Sequence, residues 1–220
     1  SYRGQYVSLG TAGNMPQGFE IETPPKVEVE GRELQMEPEV RNLGDGYRVK
    51  IYNRGYAGDT VKIKVTWKLK NLLYSHRDIL LLNWKPITDG DKKVEKVQFR
   101  VIPKFASANA RSELYIHTAY MGPDVTVKKE DGYYDATFYN LGKGQAVELY
   151  GYWLKSDLSP LYASDRNTGL TKLDEFHQTQ AKIEQEKYWT RMFWHWILPA
   201  LIVSLWLLAL LGRNRFKKMI

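Results

Sequence analysis

The chain contains no cysteine. Disulfides, thiolate metal sites and a cysteine nucleophile are therefore excluded, and stability has to come from packing. Histidine is scarce: His76, His117, His177 and His195 lie too far apart in sequence for a short metal-ligand spacing. Ser107, Ser112, Ser156 and Ser159 sit in no GxSxG elbow, and neither a GxxxxGK[ST] nor a GxGxxG phosphate loop occurs. Asp89 and Asp91 in ITDGDKK open like a calcium loop, but lysines follow where further oxygen ligands are needed, so the stretch reads as a turn. These absences predict a protein that is not an enzyme, has no catalytic residues, and holds no cofactor or metal.

Long apolar runs are also missing, with one exception. From Phe193 to Leu211 the chain carries no formal charge while His195 is neutral. At 1.5 Å per residue this run spans about 28 Å as a helix, close to the hydrocarbon thickness of a bilayer. Arg213, Arg215, Lys217 and Lys218 crowd its exit, whereas its approach mixes Lys182, Lys187 and Arg191 with Glu184 and Glu186. The positive-inside rule then places the tail in the cytoplasm and residues 1–190 outside it, in the cell membrane of a cell with an envelope. Trp189, Trp194 and Trp196 gather at the outer end and, with the four basic tail residues, read as membrane-interface anchors. Such a topology requires export, so a leader is expected to have been removed ahead of Ser1.

What the chain has in quantity is alternation. In TVKIKVTWKLK, Val61, Ile63, Val65, Trp67 and Leu69 alternate with Lys62, Lys64, Thr66, Lys68 and Lys70, the signature of a strand with one buried and one wet face. Weaker alternation recurs at 26–31, 47–53, 96–102, 113–119, 124–128, 133–140 and 146–154, separated by Gly- and Asp-rich turns. Trp67 and Trp84 read as core anchors. The pattern predicts a mainly β, antiparallel β-sandwich ectodomain over 1–156. A polar linker follows at 157–170, then a juxtamembrane helix at 171–191 capped by Thr171 or Asp174, a transmembrane helix at 192–212 and a basic cytoplasmic tail at 213–220.

The formal net charge is +7, and part of it lies on strand faces. Arg48 and Lys50 share the wet side of one strand, and Lys62, Lys64, Lys68 and Lys70 that of the next. If 47–52 and 61–69 pair through the RGYAGD turn, they form a single basic face, a candidate contact for an anionic surface. The expected partners are the lipid bilayer, other envelope or membrane proteins, or an acidic polymer. Nucleic acid is excluded because this face lies outside the cytoplasm and no aromatic-plus-basic RNA motif is present. Two roles follow: a membrane-anchored envelope binding or interaction module, and, as the alternative, a structural subunit of a larger membrane complex. The alternative draws on the small pair Ala200 and Ser204 in the span.

NLLYSHRDILLLNWKPI (71–87), KVEKVQFRVIP (93–103), YNLGKGQAVELYGYW (139–153) and IEQEKYWTRMF (183–193) occur in that order ahead of the span. This arrangement resembles the YciQ-like predicted membrane proteins of unknown function. The resemblance puts Tyr74, Asp78, Leu82 and Trp84 on that family's strand motif. It implies an extracytoplasmic β domain followed by transmembrane segments, and no activity.

Overall fold

The computed structural model describes residues 5–11, 19–31, 33–34, 36–44, 46–53, 58, 60–87, 90, 92–159 and 169–217. It divides into two compact units, Ser1–Leu173 and Asp174–Ile220.

Among the described residues the first unit holds twelve strands: β1 (Gln5–Thr11), β2 (Glu20–Val29), β3 (Glu39–Asn42), β4 (Gly46–Ile51), β5 (Ile63–Lys70), β6 (Tyr74–Ser75), β7 (Ile79–Ile87), β8 (Val94–Val101), β9 (Ser112–His117), β10 (Lys128–Glu130), β11 (Tyr133–Leu141) and β12 (Val147–Leu154). Their ladders are antiparallel and form three sheets. A seven-stranded sheet runs β3-β4-β1-β7-β12-β9 with β6 beside β7, a second runs β10-β11-β8, and a third pairs β2 with β5.

Two apolar clusters join these sheets. Leu82 and Trp84 of β7, Leu114 and Ile116 of β9, and Leu149 and Trp153 of β12 meet Val97 of β8 and Tyr134, Ala136 and Phe138 of β11. Val49 and Ile51 of β4 meet Val29 of β2, with Val27, Ile63, Val65 and Trp67 packed around them. Trp67 and Trp84 thus sit on the apolar sides of their strands, half-buried. β12 runs between β7 and β9 and is buried on both faces for most of its length. A Cβ at Gly151 would lie 2.7 Å from the Glu113 carbonyl oxygen, so glycine is what lets β9 approach there.

The antiparallel β character and the apolar C-terminal helix agree with the sequence reading, and three details differ from it. The alternation at 124–128 yields a strand only from Lys128. Val125 and Val127 pack against the larger cluster without a ladder, so the pattern there reports burial alone. β2 begins at Glu20, well before Lys26, and passes through Pro24 and Pro25 with register irregularities on either side of Thr23. Its position at a sheet edge tolerates the missing N–H groups.

The third difference concerns the strands carrying the predicted basic face. β4 pairs with β1 and β3, and β5 pairs with β2, so 47–52 and 61–69 do not form a hairpin. The RGYAGD turn lies, apart from Gly58, outside the described residues, as do Asp89 and Asp91 and most of the 157–170 linker. The charge pattern agrees with the observed partner. Register sets Glu20 opposite Lys70 and Glu28 opposite Lys64, whereas pairing with β4 would bring lysines to arginine and lysine.

The C-terminal helix comprises α1 (Leu173–Met192), a π-helical turn at Phe193–Ile197 and α2 (Leu198–Lys217). The π turn ends two residues before Pro199, which has no N–H to give, and the Leu198 N–H reaches back to the Phe193 carbonyl. Among the described residues this is the one helix long and apolar enough to cross a membrane, and none of its apolar window is buried.

Candidate functional site

The two basic rows predicted from sequence occupy different sheets and have different neighbours. Just before β5, Lys62 Nζ lies 3.5 Å from Glu30 Oε1, and on β5 Lys64 Nζ lies 3.3 Å from Glu28 Oε2 and Lys70 Nζ 3.5 Å from Glu20 Oε1. Lys26 also bonds Glu28. The hydrogen bonds from Lys26 and then Lys64 hold the Glu28 carboxyl below its ordinary range. Lys68 stands opposite Thr23, without a carboxylate partner among the described residues. This row is a wet face whose charge is largely matched within its own sheet.

On β4 the alternation turns Val49 and Ile51 inward and Arg48 and Lys50 outward. Register places Ser8 of β1 and Arg41 of β3 on either side of Arg48, and Tyr6 and Glu39 on either side of Lys50. Arg48 Nε donates to Ser8 Oγ at 2.9 Å, and its guanidinium carbon lies 5.8 Å from the Tyr6 ring centre. Lys50 Nζ lies 4.6 Å from the Tyr52 ring centre and 5.9 Å from that of Tyr6. Tyr52 OH donates to Glu39 Oε2 at 3.0 Å, and its interaction with Lys50 raises the ammonium above its ordinary pKa. Arg41 stands directly across from Arg48, and among the described residues no carboxylate is bonded to either. Tyr6, Ser8, Glu39, Arg41 and Tyr52 were not singled out in the sequence. The alternation of Tyr6 and Ser8 in SYRGQYVSL was a signal for two of them, while β3 is too short to show any.

Two polar arrangements lie elsewhere in the first unit. On the face of β9 and β12 away from the larger cluster, Tyr115 OH and Tyr152 OH donate to the two carboxylate oxygens of Glu113 at 2.9 and 3.3 Å. Burial, then the charge of Glu113, pushes Tyr152 up to about 12. Burial also raises Glu148, against the attraction of Lys85. His117, opposite Glu148 in the ladder, is half-buried and stacks on Tyr115.

The second arrangement surrounds Asp78, in the turn between β6 and β7. Its carboxylate accepts the backbone N–H groups of Lys172, at 2.9 and 3.1 Å, and of Leu173, at 2.9 Å. Partial burial opposes its charged form, and these N–H groups outweigh that to hold the carboxyl below its ordinary range. Its backbone carbonyl accepts the Lys155 N–H at 2.8 Å, and the Arg77 N–H donates to the Leu170 carbonyl at 2.9 Å. The N–H groups of Lys172 and of Leu173, the first residue of α1, are therefore satisfied by an acid more than ninety residues away in sequence, where the sequence reading named Thr171 or Asp174.

Among the described residues no group of three His, Cys, Asp or Glu side chains has the placement of a metal site. Trp189, Trp194 and Trp196 are exposed on their helix, as is Arg213. The side chains of Arg215 and Lys217, and all of Lys218, lie outside the described residues.

Residues 1–153 match the family described as the predicted membrane protein (DUF2207) N-terminal domain. The chain belongs to this family. The resemblance to the YciQ-like predicted membrane proteins is thus borne out as membership of a membrane protein family of unknown function. No curated protein and no solved structure matches. In this DUF2207 chain the four motif positions lie on β6, β7 and the turn between them but have different surroundings: Tyr74 stacks on His76, Asp78 binds Lys172 and Leu173, and Leu82 and Trp84 enter the larger cluster.

Proposed function

We propose that this chain is a membrane-anchored, non-catalytic interaction module whose β domain lies outside the cytoplasm and whose basic tail lies within it. The observation that carries the reading is the pairing of a bilayer-length apolar helix, bare along its whole apolar window, with a β domain that displays cations and tyrosines on the outer side of β1, β3 and β4. The distribution of Lys and Arg around the helix supports the orientation. The outer face of β4 supports a role in binding, since its cations are held by neutral hydroxyls and rings as well as by a single glutamate. A structural role in a larger membrane complex is the second reading, drawn from the small pair Ala200 and Ser204, whose size would let another helix approach closely.

Protease added to intact cells stripped of outer barriers tests the arrangement. The expected result is loss of the β domain with retention of a short membrane-bound fragment carrying the tail. A fully protected β domain in cells whose known surface proteins are digested contradicts it.

A further inference from the structure

Arg41 and Arg48 are direct partners across the β3–β4 ladder, an arrangement in which side chains start about 5 Å apart and like charges repel. The neighbouring row of β5 shows how this protein neutralises lysines, with a glutamate opposite. No glutamate does so for these two arginines among the described residues. Ser8 Oγ takes the Nε of Arg48, which orients the guanidinium, and no described residue takes its terminal nitrogens, which can meet a ligand as a fork. Tyr6, 62% exposed, lies beside it, and Tyr52 flanks Lys50 on the same outer face. Two unneutralised guanidiniums, an ammonium and two tyrosine rings together fit a phosphate at the boundary between water and an apolar layer. The phosphate would relieve the arginine repulsion, and amphipathic rings favour the headgroup zone.

We propose that the Arg41–Arg48 pair, with Lys50, Tyr6 and Tyr52, binds the phosphate of an anionic phospholipid headgroup, and that the β5 lysines take no part. This deepens the interaction-module reading and rests on it. Covalent attachment to a membrane helix favours this ligand over a dissolved one, because tethering replaces a bimolecular encounter with a local concentration on the order of millimolar. A weak site is then enough.

The test uses the full chain in nanodiscs of phosphatidylcholine alone or mixed with phosphatidylglycerol, reading amide hydrogen exchange in β1, β3 and β4. Slower exchange in the mixed discs, reversed by salt and absent in phosphatidylcholine, is the expected result. Arg41→Gln/Arg48→Gln should abolish the protection, and Lys62→Gln/Lys64→Gln/Lys68→Gln should keep it. Should the double variant fold poorly, Arg48→Lys retains the charge but loses the fork, and should weaken the protection while the melting temperature holds. Protection that survives in both arginine variants, is equal in phosphatidylcholine, or disappears in the lysine triple overturns the assignment. Glycerol phosphate added to phosphatidylcholine discs separates the sources: full protection by it makes the ligand a free phosphate ester and overturns the lipid. None of these results moves the β domain across the membrane, so failure here is distinct from failure of the orientation tested by protease.

Discussion

β4 and β5 carry the same kind of sequence, apolar residues alternating with cations, and the fold gives them opposite surroundings. The cations of β5 face a glutamate-bearing strand, where Lys64 and Lys70, like Lys62 just before the strand, are ion-paired and Lys68 stands opposite a threonine. Those of β4 lie between a tyrosine and serine on β1 and an arginine and glutamate on β3. Inward, β4 is the more deeply buried: Val49 and Ile51 are wholly inaccessible, while Ile63, Val65 and Trp67 of β5 are half-buried. Alternation within a strand says which side chains share a face. What those side chains meet depends on the neighbouring strand.

The sharpest break of this contrast comes from the core. Ile51→Ala should cost about 2–5 kcal/mol in a urea titration of the full chain in detergent, within the range for a buried isoleucine. Ile63→Ala on β5 should cost clearly less. Equal losses would mean that the two strands bury their inner faces alike.

A buried polar residue supplies the next measure. Tyr152 is pushed up to about 12, against about 10 for an unfolded tyrosine. Because its folded pKa is raised, the stability linked to its neutral form is intact below about pH 10 and lost as pH rises toward 12. Ultraviolet titration of the tyrosinates should lose its latest step in Tyr152→Phe. An unchanged profile would remove Tyr152 from the buried face of β12.

Acid and alkali should also part the two basic strands. The Glu28 carboxyl is lowered by Lys26 and Lys64, so its contribution is present above the ordinary glutamate pKa, about 4.3, and disappears as pH falls through the folded value. Lys50 is raised by Tyr52, so its contribution is present below about 10.4 and disappears as pH rises through the folded value. In NMR titrations Lys64→Gln should move Glu28 upward and Tyr52→Phe should move Lys50 downward. Shifts in the reverse sense would undo the pairings.

The smallest effect belongs to the β5 row. Lys62→Gln/Lys64→Gln/Lys68→Gln removes exposed charges whose pairs contribute little, and each substitution should change stability by less than about 0.5 kcal/mol. A large loss would make these ion pairs structural.

The sequence made some of this legible and concealed the rest for physical reasons. The alternation of Val61 to Lys70 read directly as a strand with Trp67 inward, because a single buried face imposes period two. The long apolar run after Phe193 read as a membrane helix because nothing in a β domain needs it. Pairing was not legible: β4 and β5 are neighbours in sequence, and the glutamates of β2 that lie opposite the β5 lysines carry no local sign of that register. The Asp78 junction was out of reach of local reasoning, since an acid in a β turn gives no sign that it satisfies N–H groups about ninety residues on. The outer face of β4 was half visible, as Arg48 and Lys50, while Arg41 lay on a strand too short to carry a pattern.

The arrangement of the chain across the membrane is tested most directly by cysteine labelling, since the sequence supplies no background thiol. Asp131→Cys lies in the exposed turn between β10 and β11, and Asn214→Cys lies near the end of α2, past the apolar run. An impermeant maleimide applied to intact cells should label Asp131→Cys at once and Asn214→Cys only after lysis. The reverse pattern, with Asn214→Cys labelled on intact cells and Asp131→Cys protected, would contradict the account.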